Sequence, residues 1–105
     1  MDLVILESPF SGYTERNKRY LQRCIRDCIQ RGESPYASHQ MLTDALDDND
    51  PEQRKKGIEA GFQWHEVADK AVVYEDYGIS DGMVKGIGEA KQNGLDIEYR
   101  SIGSN

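Results

Sequence analysis

Leu3-Val4-Ile5-Leu6 is an unbroken apolar run that stops abruptly at Glu7-Ser8-Pro9. A strand with one wet face alternates apolar and polar residues, whereas a continuous run of this length describes a strand covered on both faces, as in a parallel sheet. The next segment carries the helical period. From Thr14 to Arg31, apolar residues recur as Tyr20, Leu21, Cys24, Ile25, Cys28 and Ile29, with Arg and Lys between them and Gly32 behind as a stop. Glu33 to Ser38 reads as a second strand, with Pro35 at a strand start or a sheet edge because it has no N–H to donate to a ladder. A short helical turn is expected over Met41–Leu46.

The acidic run Asp47-Asp48-Asn49-Asp50 resembles half a calcium loop, but the rest of that pattern is absent. Asp50-Pro51-Glu52-Gln53 reads instead as a helix start, with Asp50 as N-cap, Pro51 at the first helical position and Gln53 closing a capping box. This helix carries Ile58, Phe62, Val67 and Ala68 and is expected to end near Asp69. Lys70-Ala71-Val72-Val73-Tyr74 is a further strand, Ser80 to Asn93-Gly94 a third helix, and Leu95 to Tyr99 a last strand. Strands alternating with helices predict parallel pairing through right-handed crossovers. The expected fold is a three-layer α/β/α sandwich around a mostly parallel sheet of four to five strands, Rossmann-like or flavodoxin-like. Ligands of such sheets sit beyond the carboxyl ends of the strands, which nominates Glu7–Tyr13, Ala37–Gln40 and Glu75–Met83.

Length and composition narrow the functions. A chain of 105 residues is the size of one domain, and 37% hydrophobic residues allow a core without staples. The formal net charge of −6 repels a phosphate backbone and an anionic bilayer, so neither a nucleic-acid duplex nor a membrane surface is an expected partner. Met1-Asp2-Leu3-Val4-Ile5-Leu6 has neither the basic start nor the length of a secretory signal, and a cytoplasmic location is expected. Cys24 and Cys28, four apart on one helix, read as buried free thiols. Zinc would need further ligands, and His39 and His65 stand at no recognisable ligand spacing, so no metal is expected.

Two strand-to-helix junctions carry the chemistry. Ser8-Pro9-Phe10-Ser11-Gly12-Tyr13 offers hydroxyls, a flexible glycine and two aromatic rings where free helix N–H groups favour an anion, though Ser11 or Thr14 could simply cap the helix. Gly78-Ile79-Ser80-Asp81-Gly82-Met83 repeats the arrangement, and two such mouths on one sheet edge can hold a phosphate between them. Neither matches the triphosphate-binding Gly-Lys loop or the dinucleotide glycine fingerprint. Arg54-Lys55-Lys56 and Lys91 read as solvated helix faces, and His65 beside Trp64 as packing or surface.

As a set, Ser8-Pro9-Phe10 with Gly12, Asn17 early in the first helix, Pro35 and His39, Ala68-Asp69 before a strand, and Gly78-Ile79-Ser80 with Gly82-Met83 resemble the nucleoside 2-deoxyribosyltransferase-like superfamily. More narrowly, the chain is similar to small members found in bacteriophage and bacterial genomes, and the likeness runs over nearly all of residues 1–105 as one domain. The resemblance implies a pocket for a nucleoside or its monophosphate, without a cofactor. The loop of Ser8, Pro9, Phe10, Ser11 and Gly12 would lie near sugar and base and the turn of Ser80, Gly82 and Met83 near the phosphate, with Asn17, Gly86 and His39 also lining the pocket, His39 as a donor to a ligand anion. It also implies self-association as a homodimer or larger.

Active relatives cleave the N-glycosidic bond with a glutamate four residues before an alanine that matches Ala90. That position is Gly86 here, and a second expected carboxylate falls at Gly61. Glycine supplies no nucleophile, so the usual chemistry is expected to be lost. The expectation is a nucleotide-binding protein that sequesters a nucleotide or nucleotide signal, as in a phage anti-defence role. One alternative is an N-glycoside hydrolase or transferase for (deoxy)nucleoside 5′-monophosphates acting through Glu89 or Glu7. Another is a protein-interaction domain that uses Phe62 and Trp64.

Overall fold

The computed structural model describes residues 1–10, 14–37, 45–47 and 49–103. Strand β1, Asp2–Glu7, leads into helix α1, Glu15–Gln30. Thr14 caps α1, its hydroxyl accepting from the Asn17 amide at 3.2 Å. The helix buries Asn17, Tyr20, Leu21, Cys24 and Cys28, the stripe its period predicts, and the chain leaves it through Gly32 at φ 81°. Strand β2, Glu33–Tyr36, is shorter than expected, and Pro35 pairs with Val4 from an edge position where its missing N–H faces no partner strand.

Helix α2 spans Pro51–Gln63 and starts as predicted at Asp50, which accepts from the Glu52 amide at 3.0 Å. Gln53 does not close the expected box on Asp50. Its amide nitrogen donates to the Asp50 carboxylate while its oxygen accepts from the Asp47 amide, tying the preceding turn to the helix. The helix ends six residues before Asp69 and passes into a 3-10 turn over Trp64–Glu66. Its buried positions are Gly57 and Gly61, whereas Ile58 and Val67 are exposed. The physical reason is close approach: a Cβ on Gly57 would come within 2.9 Å of the Leu46 side chain, so this helix packs through bare backbone rather than through an apolar stripe.

Strand β3, Lys70–Tyr74, is followed by helix α3, Asp81–Gln92, and strand β4, Asp96–Arg100. Ala71, Val72, Val73 and Tyr74 are fully buried, as befits a strand covered on both faces. The four strands pair in parallel in the order β2-β1-β3-β4. Alternation sends Val4, Leu6, Val72 and Tyr74 to the α1 side, where they meet Tyr20, Leu21, Cys24 and Cys28. Ile5, Ala71 and Val73 face the other way, onto Met83, Ile87 and Ala90 of α3.

A buried polar network on the α1 side joins the two edge strands. Arg100 at the end of β4 donates twice to Glu33 at the start of β2, at 2.8 and 2.6 Å, and once to the Tyr74 hydroxyl at 3.1 Å. Glu98 also pairs with Arg100, and Lys70 lies 2.9 Å from Glu33. The Arg100 hydrogen bonds hold the Glu33 carboxyl down to about 2 despite its burial. Tyr74 in turn donates to Asp27 on α1 at 2.7 Å, completing a chain of satisfied groups. Cys24 and Cys28 are free and buried, and burial pushes the Cys24 thiol up to about 12. Among the described residues no helix is long and apolar enough to cross a membrane.

Candidate functional site

Strand order decides where a crevice opens. From β1 the chain moves to β2 on one side, and β3 is laid down on the other, so the connections leaving β1 and β3 diverge at their carboxyl ends. This is the topological switch point at which open α/β sheets take their ligands. Its walls are Glu7–Phe10 after β1 and Glu75–Ser80 after β3, and the first turns of α1 and α3 point their N-termini at it.

The loop after β3 is held rigidly by Asp76. Its carboxylate accepts from the Tyr20 hydroxyl at 2.5 Å and from the backbone amides of Ile102 and Gly103 at 3.1 and 2.9 Å. Burial alone would raise this carboxyl, but the hydrogen bonds outweigh it and keep Asp76 below its ordinary range. Tyr77 then lies edge-on to Tyr20, with ring centroids 4.7 Å apart, and under the Arg16 guanidinium at 4.2 Å. The loop is thus joined to α1 and to the segment after β4.

Ser80 caps α3. Its hydroxyl accepts from the Met83 amide at 3.3 Å, while the Met83 sulfur accepts from the Ser80 amide at 3.4 Å. The Met83 side chain itself is buried in the core with Val73 and Ile87. Gly82 has room: the nearest atom to a Cβ there would be the Ser80 oxygen at 4.0 Å. Ser8 and Pro9 are buried, Phe10 is half-buried, and Asn17 is buried in the first turn of α1. Ser11, Gly12 and His39 lie outside the described residues. Glu89 is placed a turn beyond Gly86, and its carboxylate accepts from Asn93 at 3.4 Å, which ties it to the far end of α3.

The structure brings Glu7 and Gly86 together. Glu7 follows Ile5 on the α3 side of the sheet, opposite Val73, and its carboxyl lies against the backbone of Gly86. A Cβ on Gly86 would come 2.5 Å from the carboxyl carbon and 2.7 Å from Oε1, with Oε2 nearer still. The carboxyl therefore occupies the volume in which a side chain from α3 would begin. Burial pushes it up to about 8, so it is mainly protonated at neutral pH.

Sequence reasoning left His65 as packing or surface, and the structure buries it. Its Nδ1 lies 3.2 Å from the Phe62 carbonyl, and its Nε2 is buried with no hydrogen-bond partner among the described residues. Tyr36 stacks on Trp64 with centroids 4.7 Å apart, so Trp64 is partly covered. Among the described residues no cluster of His, Cys, Asp and Glu could hold a metal ion. A shallow concavity lined by Asn49, Pro51, Arg54, Lys55, Ile58 and Glu59 runs along α2 and includes no residue of the strand-end loops.

A protein family described as "Domain of unknown function (DUF7768)" matches residues 2–100. Among solved structures, the chain is similar to a 2-deoxyribosyltransferase from the psychrotolerant bacterium Bacillus psychrosaccharolyticus, described as a biocatalyst for the synthesis of antiviral and antitumoral nucleosides. The TM-score is 0.74 at 15% identity, covering 98% of this chain and 74% of that one. The likeness establishes the shared α/β fold. No curated protein matches the chain.

Proposed function

We propose that this chain, which belongs to the DUF7768 family, binds a nucleoside phosphate at the β1/β3 switch point and does not cleave it. Two helix N-termini capped by Thr14 and Ser80 supply backbone N–H groups suited to an anion. The Tyr77 ring and the half-buried Phe10 stand on the same edge and offer surfaces for a sugar or base. The structural likeness to a 2-deoxyribosyltransferase supports a nucleoside-related ligand. A nucleotide held without turnover suits sequestration of a nucleotide or nucleotide signal.

The observation that carries binding over cleavage is the state of the carboxyl. A glycosidic nucleophile must be ionised to attack an oxocarbenium-like centre. Gly86 offers none, and burial raises Glu7 beside it to about 8, so that it is mainly protonated at neutral pH. Calorimetry with the four deoxynucleoside 5′-monophosphates, followed by chromatography for free base, tests this reading. The expected result is binding with no base released at pH 7. Base release that grows as the pH passes 8 and vanishes in Glu7→Gln would instead support an N-glycoside hydrolase.

A further inference from the structure

We propose that Glu7 is the recognition residue of the crevice, reaching from the end of β1 into the space Gly86 leaves bare and donating a hydrogen bond to an uncharged acceptor group of the bound nucleotide. This rests on the nucleotide-binding reading above and adds to it the side chain that selects the ligand. Three observations on separate elements support it.

First, placement: Glu7 is the last residue of the central strand β1, at the switch point, and it faces α3. Second, complementarity: the residues are 79 positions apart, yet the carboxyl fills the volume a Gly86 side chain would need, with contacts of 2.5 and 2.7 Å to any Cβ built there. Glycine in a helix interior weakens the helix, and here the space it leaves is taken up by a carboxyl. Third, partnership: no ion pair or hydrogen bond joins the Glu7 side chain to another described residue. A carboxyl taken partly out of water without a partner destabilises a fold, so its presence at the switch point suits contact with a ligand.

The charged groups on the neighbouring elements do not alter this. Asp81, Lys85, Glu89 and Lys91 on α3, and Glu75, Asp76 and Tyr77 after β3, are the titratable groups of α3 and the loop that leads to it, and burial alone raises Glu7. With its proton, the carboxyl presents a donor and an acceptor side by side, which suits a carbonyl, ring nitrogen or sugar oxygen. Without its proton, it loses the donor and repels an anionic ligand.

Calorimetry with 2′-deoxyadenosine and 2′-deoxycytidine 5′-monophosphates at pH 7 and 9.5 tests the assignment, because neither base titrates in that range. The parent protein is expected to bind at least tenfold more weakly at pH 9.5. Glu7→Gln keeps a donor but cannot ionise, and is expected to bind a few-fold more weakly than the parent at pH 7 with no change at 9.5. Glu7→Ala and Gly86→Ala, the latter evicting the carboxyl, are each expected to lose about tenfold at pH 7, with folding confirmed by circular dichroism. If the parent binds and Glu7→Ala binds equally well, this assignment falls while the nucleotide reading stands. If the parent binds neither nucleotide at millimolar concentration, both fall.

Discussion

Replacing Glu7 by glutamine should make the protein more stable at alkaline pH and leave it nearly unchanged in mild acid. The carboxyl titrates near 4.5 when solvated and at about 8 in the fold. Below 4.5 it is protonated in both folded and unfolded chains, and its burial carries no charge penalty. Between 4.5 and 8 the unfolded chain ionises while the folded one keeps its proton, so stability falls as the pH rises and levels off above 8. At about 1.4 kcal/mol per pH unit, the full interval corresponds to about 5 kcal/mol. Glu7 is half-buried and can turn toward water as it ionises, which reduces the working figure to about 2–4 kcal/mol.

Glutamine has nearly the same shape and no titration. Parent and Glu7→Gln should therefore agree within about 1 kcal/mol at pH 5 and diverge by about 2–4 kcal/mol at pH 9, a difference in Tm of roughly 8–20 °C for a chain of this size. Groups common to both proteins cancel in the difference. Thermal unfolding followed by circular dichroism across pH 5–9 measures it. Parallel curves for the two proteins would refute the reasoning, because they would mean that Glu7 carries its charge into the folded state without cost.

Arg100→Met should cost about 3 kcal/mol at pH 7, since it leaves Glu33 buried with only Lys70 against it. Glu33 is lowered to about 2 in the fold, so this contribution is present above 4.5 and is lost as the pH falls toward 2; urea midpoints that differ equally at pH 7 and pH 2 would contradict it. Ser80→Ala removes the cap on α3 and should lower stability by about 1 kcal/mol. The same variant should weaken a nucleoside monophosphate more than the unphosphorylated nucleoside, and equal losses in calorimetry would move the phosphate away from this turn. The protein is expected to self-associate, at least as a dimer, through helix faces with exposed apolar residues such as Val84. Light scattering that finds only a species of 11.9 kDa at micromolar concentration would contradict this.

The amino-acid sequence determined what depends on near neighbours. The apolar run Leu3–Leu6, the 3.6-residue stripe from Tyr20 to Cys28, the stop at Gly32, the caps at Asp50 and Ser80 and the strand Lys70–Tyr74 were all legible, because each signal lies within one or two helical turns or one strand. From their alternation followed the parallel sheet, and from the sheet the edge on which a ligand would sit. The course of α2 was not legible in the same way: Ile58 and Val67 keep a helical spacing, but the buried positions of the helix are Gly57 and Gly61, and a Cβ on Gly57 would crowd the Leu46 side chain at 2.9 Å.

Two features were decided by tertiary structure alone. Nothing local in the sequence pairs Glu33 with Arg100; the register of the edge strands sets them 2.6 Å apart on the α1 side. Glu7 read as an alternative catalytic acid at the end of the first strand, and Gly86 as a position that had lost one. Only the packing of α3 across β1 makes them a pair, because a carboxyl that fills the space of an absent side chain depends on two backbones brought together from opposite ends of the chain.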